Sequence, residues 1–171
     1  MRRIFFILAL SILAILLADC SGRSKKNMEL TGPRIPPFVG KKADGKLLSE
    51  NSISRKIAVL GFLSSWCKPC VNEIIALDSL RKKYDDDKIE FMIFTYEDPS
   101  KLKKITDSLK TEIPIIHADS SFFSELNIDA IPTRILAKNG YEILRVVGSP
   151  IEHEDSFLRV LSETVGERKH N

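Results

Sequence analysis

Cys67 and Cys70 stand three residues apart in Trp66-Cys67-Lys68-Pro69-Cys70, and a Cys-x-x-Cys pair supports two kinds of chemistry. It is half of a structural zinc site, or it is a dithiol that opens and closes a disulfide. Zinc needs two further ligands at close spacing. The chain offers Cys20 and three histidines, His117, His153 and His170, with no second Cys-x-x-Cys and no His-x-x-x-His among them. The residue set therefore favours redox chemistry, with neither a metal nor another cofactor. In disulfide exchange the thiolate is the nucleophile, so one of the two sulfurs must be held ionised.

The elements on either side supply that condition. Ile57 to Leu63 is a continuous apolar run suited to a strand covered on both faces. After the motif, Val71, Ile74, Leu77, Leu80 and Tyr84 recur at three- and four-residue spacing, while Asn72, Glu73, Asp78, Arg81 and Lys82 take the other side. The pattern predicts an amphipathic helix opening at or near Cys67. A cysteine in the first turn of a helix gains from its N-terminal dipole, and a free-thiol pKa of about 8.5 falls into a range of substantial ionisation. Cys67 is thus the predicted nucleophile and Cys70 the resolving thiol.

Further out, Pro33 to Arg55 is turn-rich and predicts a short hairpin and a loop around Ala43-Asp44-Gly45-Lys46. Ile89 to Tyr96 reads as a second buried strand, Pro99 as the first turn of a helix running to about Lys110, and Ile113 to His117 as a short strand. Ser120 or Ser121 is expected to cap a brief helix ending near Asn127. Ile131-Pro132-Thr133 opens a strand through Ala137, Asn139-Gly140 marks a hairpin, and Tyr141 to Val147 pairs back. Pro150 and Ile151 start a last helix with Phe157, Leu158 and Leu161 on one face. The fold class is α/β, a central mixed sheet flanked by helices.

Trp-Cys-x-Pro-Cys after a buried strand, with Ile131-Pro132-Thr133 about 60 residues later and a hairpin beyond, resembles thioredoxin. It resembles still more the TlpA/ResA-type thiol-disulfide oxidoreductases of the bacterial envelope. Pro36-Pro37-Phe38, Asp44-Gly45-Lys46 and the extra helix and strand between Pro99 and His117 extend the likeness over about Pro36 to Leu161. The resemblance implies a thioredoxin-like fold with an N-terminal β-hairpin and an α-β insertion. It also implies a cis Pro132 lying against the dithiol, with the Ile131 backbone pairing with the substrate chain. On sequence alone Pro132 is only a strand-start proline.

This sequence departs from that pattern twice. Gly61 stands where thioredoxins keep a buried Asp under the dithiol. Glu73, three residues after Cys70, falls where the TlpA/ResA group often carries a Glu that serves as proton acceptor. An i, i+3 spacing puts it on the Cys70 side of the helix, and a carboxylate there can take the proton of Cys70. The other reading of Glu73 is a solvated helix residue. On the first reading Glu73→Gln removes a desolvated charge and leaves stability intact. Ile75 replaces a frequent Pro, which predicts a helix without the usual kink.

Pro69 removes a backbone donor near the Cys67 sulfur, and Lys68 supplies a cation that favours the thiolate. Together they predict a potential between roughly −270 and −180 mV, nearer the first. Trp66 is expected to cover the disulfide as a partly exposed lid, its alternative being a core aromatic. Trp66, Lys68, Pro69 and Ile131 thus form the expected substrate-contacting set. Asp85-Asp86-Asp87 reads as a solvated turn, His117 as packing or surface, and Phe122 and Phe123 as core or active-site face.

The N-terminus carries a targeting pattern. Arg2 and Arg3 precede an apolar run from Ile4 to Ala18, too short for a membrane span of roughly 20 residues. Leu17-Ala18-Asp19-Cys20 resembles a bacterial lipoprotein box, in which lipid is attached to the Cys, although Asp19 departs from the small residue preferred there. An uncleaved anchor and plain secretion are the alternatives. Lipid on Cys20 leaves Cys67 and Cys70 as the sole thiol pair, as an oxidising compartment favours. The predicted organisation is a signal peptide over 1–19, a lipid-anchored tether over 20–32 and the thioredoxin-like domain over 33–171.

The 26 basic and 23 acidic side chains interleave, which argues against a nucleic-acid partner. Expected partners are proteins with thiols or disulfides, an electron-donating membrane oxidoreductase, and the membrane through Cys20, at the bacterial cell envelope. Two other activities compete. A peroxiredoxin shares the fold, but its Pro and Thr are replaced by Leu60 and Ser64. A copper carrier could use the thiol pair with His117, although such carriers space their cysteines one residue wider.

Overall fold

The sheet grows outward from two apolar strands. In the computed structural model, which describes residues 32–84, 87, 89–149 and 154–166, seven strands form one sheet. In chain order they are β1 (Val39–Lys42), β2 (Leu47–Ser49), β3 (Ile57–Phe62), β4 (Ile89–Thr95), β5 (Ile115–His117), β6 (Thr133–Lys138) and β7 (Tyr141–Val147). The helices are α1 (Lys68–Arg81), α2 (Pro99–Leu109), α3 (Ser120–Glu125) and α4 (Glu154–Val165). Residues 1–31, with Cys20 and the predicted leader, and the start expected for the last helix at Pro150 and Ile151 lie outside the described residues.

β3 and β4 run parallel, from Ile57 opposite Ile89 to Phe62 opposite Phe94. Such strands need cover on both faces, which explains their unbroken apolar sequences. β5 continues the parallel set, β6 and β7 add antiparallel beyond β3, and the β1–β2 hairpin closes the β5 side, giving the order β2-β1-β5-β4-β3-β6-β7. On one face, side chains of α1, α2 and α4 pack with Val59, Leu63, Phe91, Ile93 and Leu136. On the other, Phe122 and Phe123 of α3 join Phe38, Phe62 and Phe94, their rings 4.9–6.3 Å apart. Both α3 phenylalanines are therefore core.

The helix boundaries follow local chemistry. Asp98 caps α2, its Oδ1 accepting the Ser100 N–H at 2.9 Å, and Pro99 occupies the first turn. The N-cap of α3 is Asp119, one residue before the expected serines, and it makes no side-chain capping bond. α1 runs unbroken for 14 residues past Ile75, in line with the missing proline. Its polar face differs from the periodicity. Glu73 and Asp78 are buried, with 1% and 8% of their surfaces exposed. Asp78 is held by Thr111 Oγ1 at 2.7 Å and Lys82 Nζ at 2.6 Å; helical periodicity registers only neighbours on the same helix, and Thr111 lies 33 residues away.

Two glycines mark close approaches. Gly32 abuts β7, and a Cβ there would lie 1.8 Å from the Glu142 carbonyl oxygen. From this entry point Pro33 accepts the Glu142 N–H, Ile35 donates to Gly140, and Arg34 bridges Tyr141. Gly61 lies against α1, where a Cβ would meet Leu77 Cδ1 at 2.7 Å. Because Leu77 is itself buried, Gly61→Ala should cost about 1–3 kcal/mol as overpacking. Urea denaturation measures it, and Leu77→Val should recover part of the loss in the double variant.

Candidate active site

The loop after β3 delivers the two cysteines to the start of α1. Cys67 is the N-cap residue, with extended backbone, and Lys68 and Pro69 begin the helix. Cys67 donates its N–H to the Ser64 carbonyl and accepts that of Cys70. Cys67 and Cys70 are joined in a disulfide, Cα–Cα 5.3 Å. The two residues differ in exposure, Cys67 at 6% and Cys70 at 1%. Lys68 and Pro69 are exposed, and Trp66 is 64% exposed, so it is not a core aromatic.

Two strand ends hold this loop. Leu63 donates to the Phe94 carbonyl at 3.0 Å, extending the β3–β4 ladder. Glu97 Oε2, just past β4, accepts the Ser65 N–H at 2.8 Å, and the Glu97 N–H bonds Thr95 Oγ1 at 3.1 Å. Ser64, where a peroxiredoxin carries Thr, buries its hydroxyl without a hydrogen-bond partner. On the other side of β3, Phe62 faces Thr133 in register, so the preceding residue, Pro132, lies at the level of the departing loop. The Ile131–Pro132 peptide bond is cis, as the family resemblance implies. Pro132 is buried, Ile131 half-buried, and the Pro132 carbonyl accepts the Gly148 N–H at 2.8 Å.

Beneath the dithiol lies a charge arrangement that local reading of the sequence missed. Glu73 is one turn along α1 from Cys70, on the same buried face, and is not the solvated residue of the alternative reading. Its carboxylate takes a forked pair of bonds from Arg134, Nε to Oε1 at 2.6 Å and Nη2 to Oε2 at 3.0 Å. Arg134 sits on β6 directly opposite Gly61 and is 2% exposed. Its Nη1 reaches Glu154 Oε2 at 3.1 Å, and its guanidinium stacks 4.6 Å from the Phe157 ring centroid. Burial pushes the Glu73 carboxyl up from its ordinary 4.5, Arg134 pulls it down, and Glu154 adds to the rise; the net direction is upward.

Against the expectation that removing the Glu73 charge leaves stability intact stand two opposing effects, relief of the Glu73 desolvation and loss of one of the two carboxylates that compensate Arg134. Breaking a buried pair by deleting one partner costs about 3–5 kcal/mol. Arg134→Met should approach that cost, and Glu73→Gln should cost less, since Glu154 still faces the guanidinium. A carboxyl whose pKa is raised on folding contributes stability that is present below its unfolded pKa and lost as pH rises through the folded value. Arg134→Met should exaggerate that trend. Its deficit relative to wild type should shrink as pH falls toward the carboxyl range, in urea titrations from pH 7 to 4.

The comparisons with known proteins agree with this geometry. The AhpC/TSA family model matches residues 31–148. The thioredoxin-like protein YneN of Bacillus subtilis is 28% identical over 115 residues, 64% of this chain and 67% of that one. The thiol-disulfide oxidoreductase ResA of Bacillus cereus is 23% identical over 133 residues, 76% of each chain. The solution structure of a putative protein disulfide isomerase from Bacteroides thetaiotaomicron superposes with a TM-score of 0.69 at 22% identity, covering 80% of this chain and 90% of that one. With its model spanning well over half of the sequence, the chain belongs to the AhpC/TSA family and has the thioredoxin-like fold.

Proposed function

We propose that the chain is a thiol-disulfide oxidoreductase that reduces disulfides of bacterial envelope proteins. The observation that carries this reading is a Cys67–Cys70 disulfide at a helix start, with the less buried cysteine at the N-cap. Relatives named as thiol-disulfide oxidoreductases support it.

In the reduced enzyme the Cys67 thiolate, favoured by the α1 N-terminus, attacks one sulfur of a substrate disulfide. The Cys67–substrate S–S bond forms as the substrate's own S–S bond breaks, and one substrate sulfur leaves as a thiolate. Cys70 gives its proton to Glu73 and attacks Cys67 Sγ. The mixed disulfide breaks, the second substrate sulfur leaves, and the Cys67–Cys70 disulfide closes. Two electrons have passed to the substrate, and an electron-donating membrane oxidoreductase returns them through the same steps reversed. Trp66, Lys68 and Pro69 border the attacking sulfur, and the Ile131 backbone beside Pro132 pairs with the substrate chain. Cys67→Ala should abolish insulin-disulfide reduction, and Cys70→Ala should trap mixed disulfides through Cys67. Trapping by Cys67→Ala instead would reverse the two roles, and hydrogen peroxide consumption that needs Cys67 alone would move the reading to a peroxidase.

The organisation that suits this reading is a signal peptide over 1–19, a tether over 20–32 and the domain from 33 onward, with lipid on Cys20 placing the dithiol at the outer surface of the membrane. Labelled palmitate should enter the wild type and not Cys20→Ser, and only the former should fractionate with membranes. An unlabelled, soluble wild type excludes the anchor.

A further inference from the structure

Glu73, Arg134 and Glu154 form one connected group in which a single guanidinium bridges two carboxylates. The two carboxylates occupy different settings. Glu73 is sealed in the core, its side chain 2% exposed, whereas Glu154 begins α4 with its side chain 31% exposed. The position at the head of a helix suits a negative charge.

We infer that Arg134 and Glu154 are positioning residues of the exchange reaction, forming with Glu73 a triad that can take up the Cys70 proton without leaving the guanidinium unpaired. This rests on the reading of Glu73 as acceptor for Cys70. A lone buried Glu–Arg pair makes a poor proton acceptor, because protonating the carboxylate strands a buried cation at a cost of several kcal/mol. Here the ionised triad carries one negative charge in excess. When Cys70 Sγ–H gives its proton to a Glu73 oxygen, the triad becomes neutral and Glu154 still compensates Arg134. A carboxylate oxygen has two lone-pair sites, so Glu73 can accept the proton while keeping an Arg134 contact. Reformation of the dithiol, or exchange with water, later removes that proton.

Among the described residues, few other groups bear on Glu73. On its own helix the neighbour is Cys70; β6 contributes Arg134, and α4 contributes Glu154 and Phe157. β3, Leu63 just beyond it and β4 present Val59, Gly61, Leu63, Phe91 and Ile93 on this side, none of which titrates. The two partners act in opposite senses on Glu73, Arg134 lowering its proton affinity and Glu154 raising it. A merely structural triad would couple to stability, whereas this one also sets the pH dependence of a single chemical step.

The test uses the reduced full-length chain and 5,5′-dithiobis(2-nitrobenzoate) in stopped flow. The first release of thionitrobenzoate reports attack by Cys67, and the second reports resolution by Cys70. The acidic limb of the second phase should move to lower pH in Glu154→Gln and stay in place in Glu154→Asp. In Arg134→Gln, or in Arg134→Lys should the former not fold, the limb should move to higher pH. Each pH unit of displacement is read as about a tenfold change in rate on the limb. The first phase should be unchanged by Glu154→Gln. If Glu154→Gln leaves the limb where the wild type has it, while Glu73→Gln removes that ionisation, the triad proposal falls and the Glu73 reading stands. If Glu73→Gln leaves the ionisation in place, both fall.

Discussion

A carboxylate buried beneath a redox pair must find a cation, and here that requirement joins three distant pieces of chain. Glu73 lies on the helix that carries Cys70, Arg134 on the strand that begins just after Pro132, and Glu154 at the head of the last helix. The forked bond therefore fixes the dithiol helix against the strand that delivers the cis proline. An Arg fork is suited to this because its planar donors match both carboxylate oxygens at once. Lysine at the same position would offer charge without the angular constraint.

Gly61 belongs to the same solution. Thioredoxins place their buried carboxylate on the strand beneath the dithiol, and this chain places it on the helix. With no side chain on β3 at that point, Leu77 packs against the backbone, and Arg134, the cross-strand partner of Gly61, has a path toward α1. An Asp added at Gly61 would crowd Leu77 and give the Arg134 neighbourhood a third carboxylate. The two arrangements are thus alternatives that exclude one another sterically as well as electrostatically.

Most of the fold was legible because it rests on local patterns. The apolar runs of β3 and β4, the Asp98-Pro99 start of α2 and the Asn139-Gly140 turn, with positive φ at both residues, each announce themselves within a few residues. The cysteine pair and Pro132 were legible by motif and family likeness. Arg134 was not, because its partner lies 61 residues away and helical periodicity placed Glu73 on the outer face. A signal did exist. An arginine inside Thr-Arg-Ile-Leu-Ala, in a strand with neighbours on both sides and helices above it, has to be paired, and Glu73 was already singled out. Glu97 offered no comparable cue, since its role as acceptor for Ser65 depends on the parallel alignment of β3 and β4.

The entry of the chain gives the domain a polarity. Gly32 to Ile35 lie along Gly140, Tyr141 and Glu142, at the far end of β6 from Thr133. The dithiol loop leaves β3 at the near end, where Phe62 meets Thr133. Six residues of strand, roughly 20 Å, separate the two poles. A domain held by the residues that precede Gly32 therefore points its dithiol away from its point of attachment, toward partners approaching from the open side.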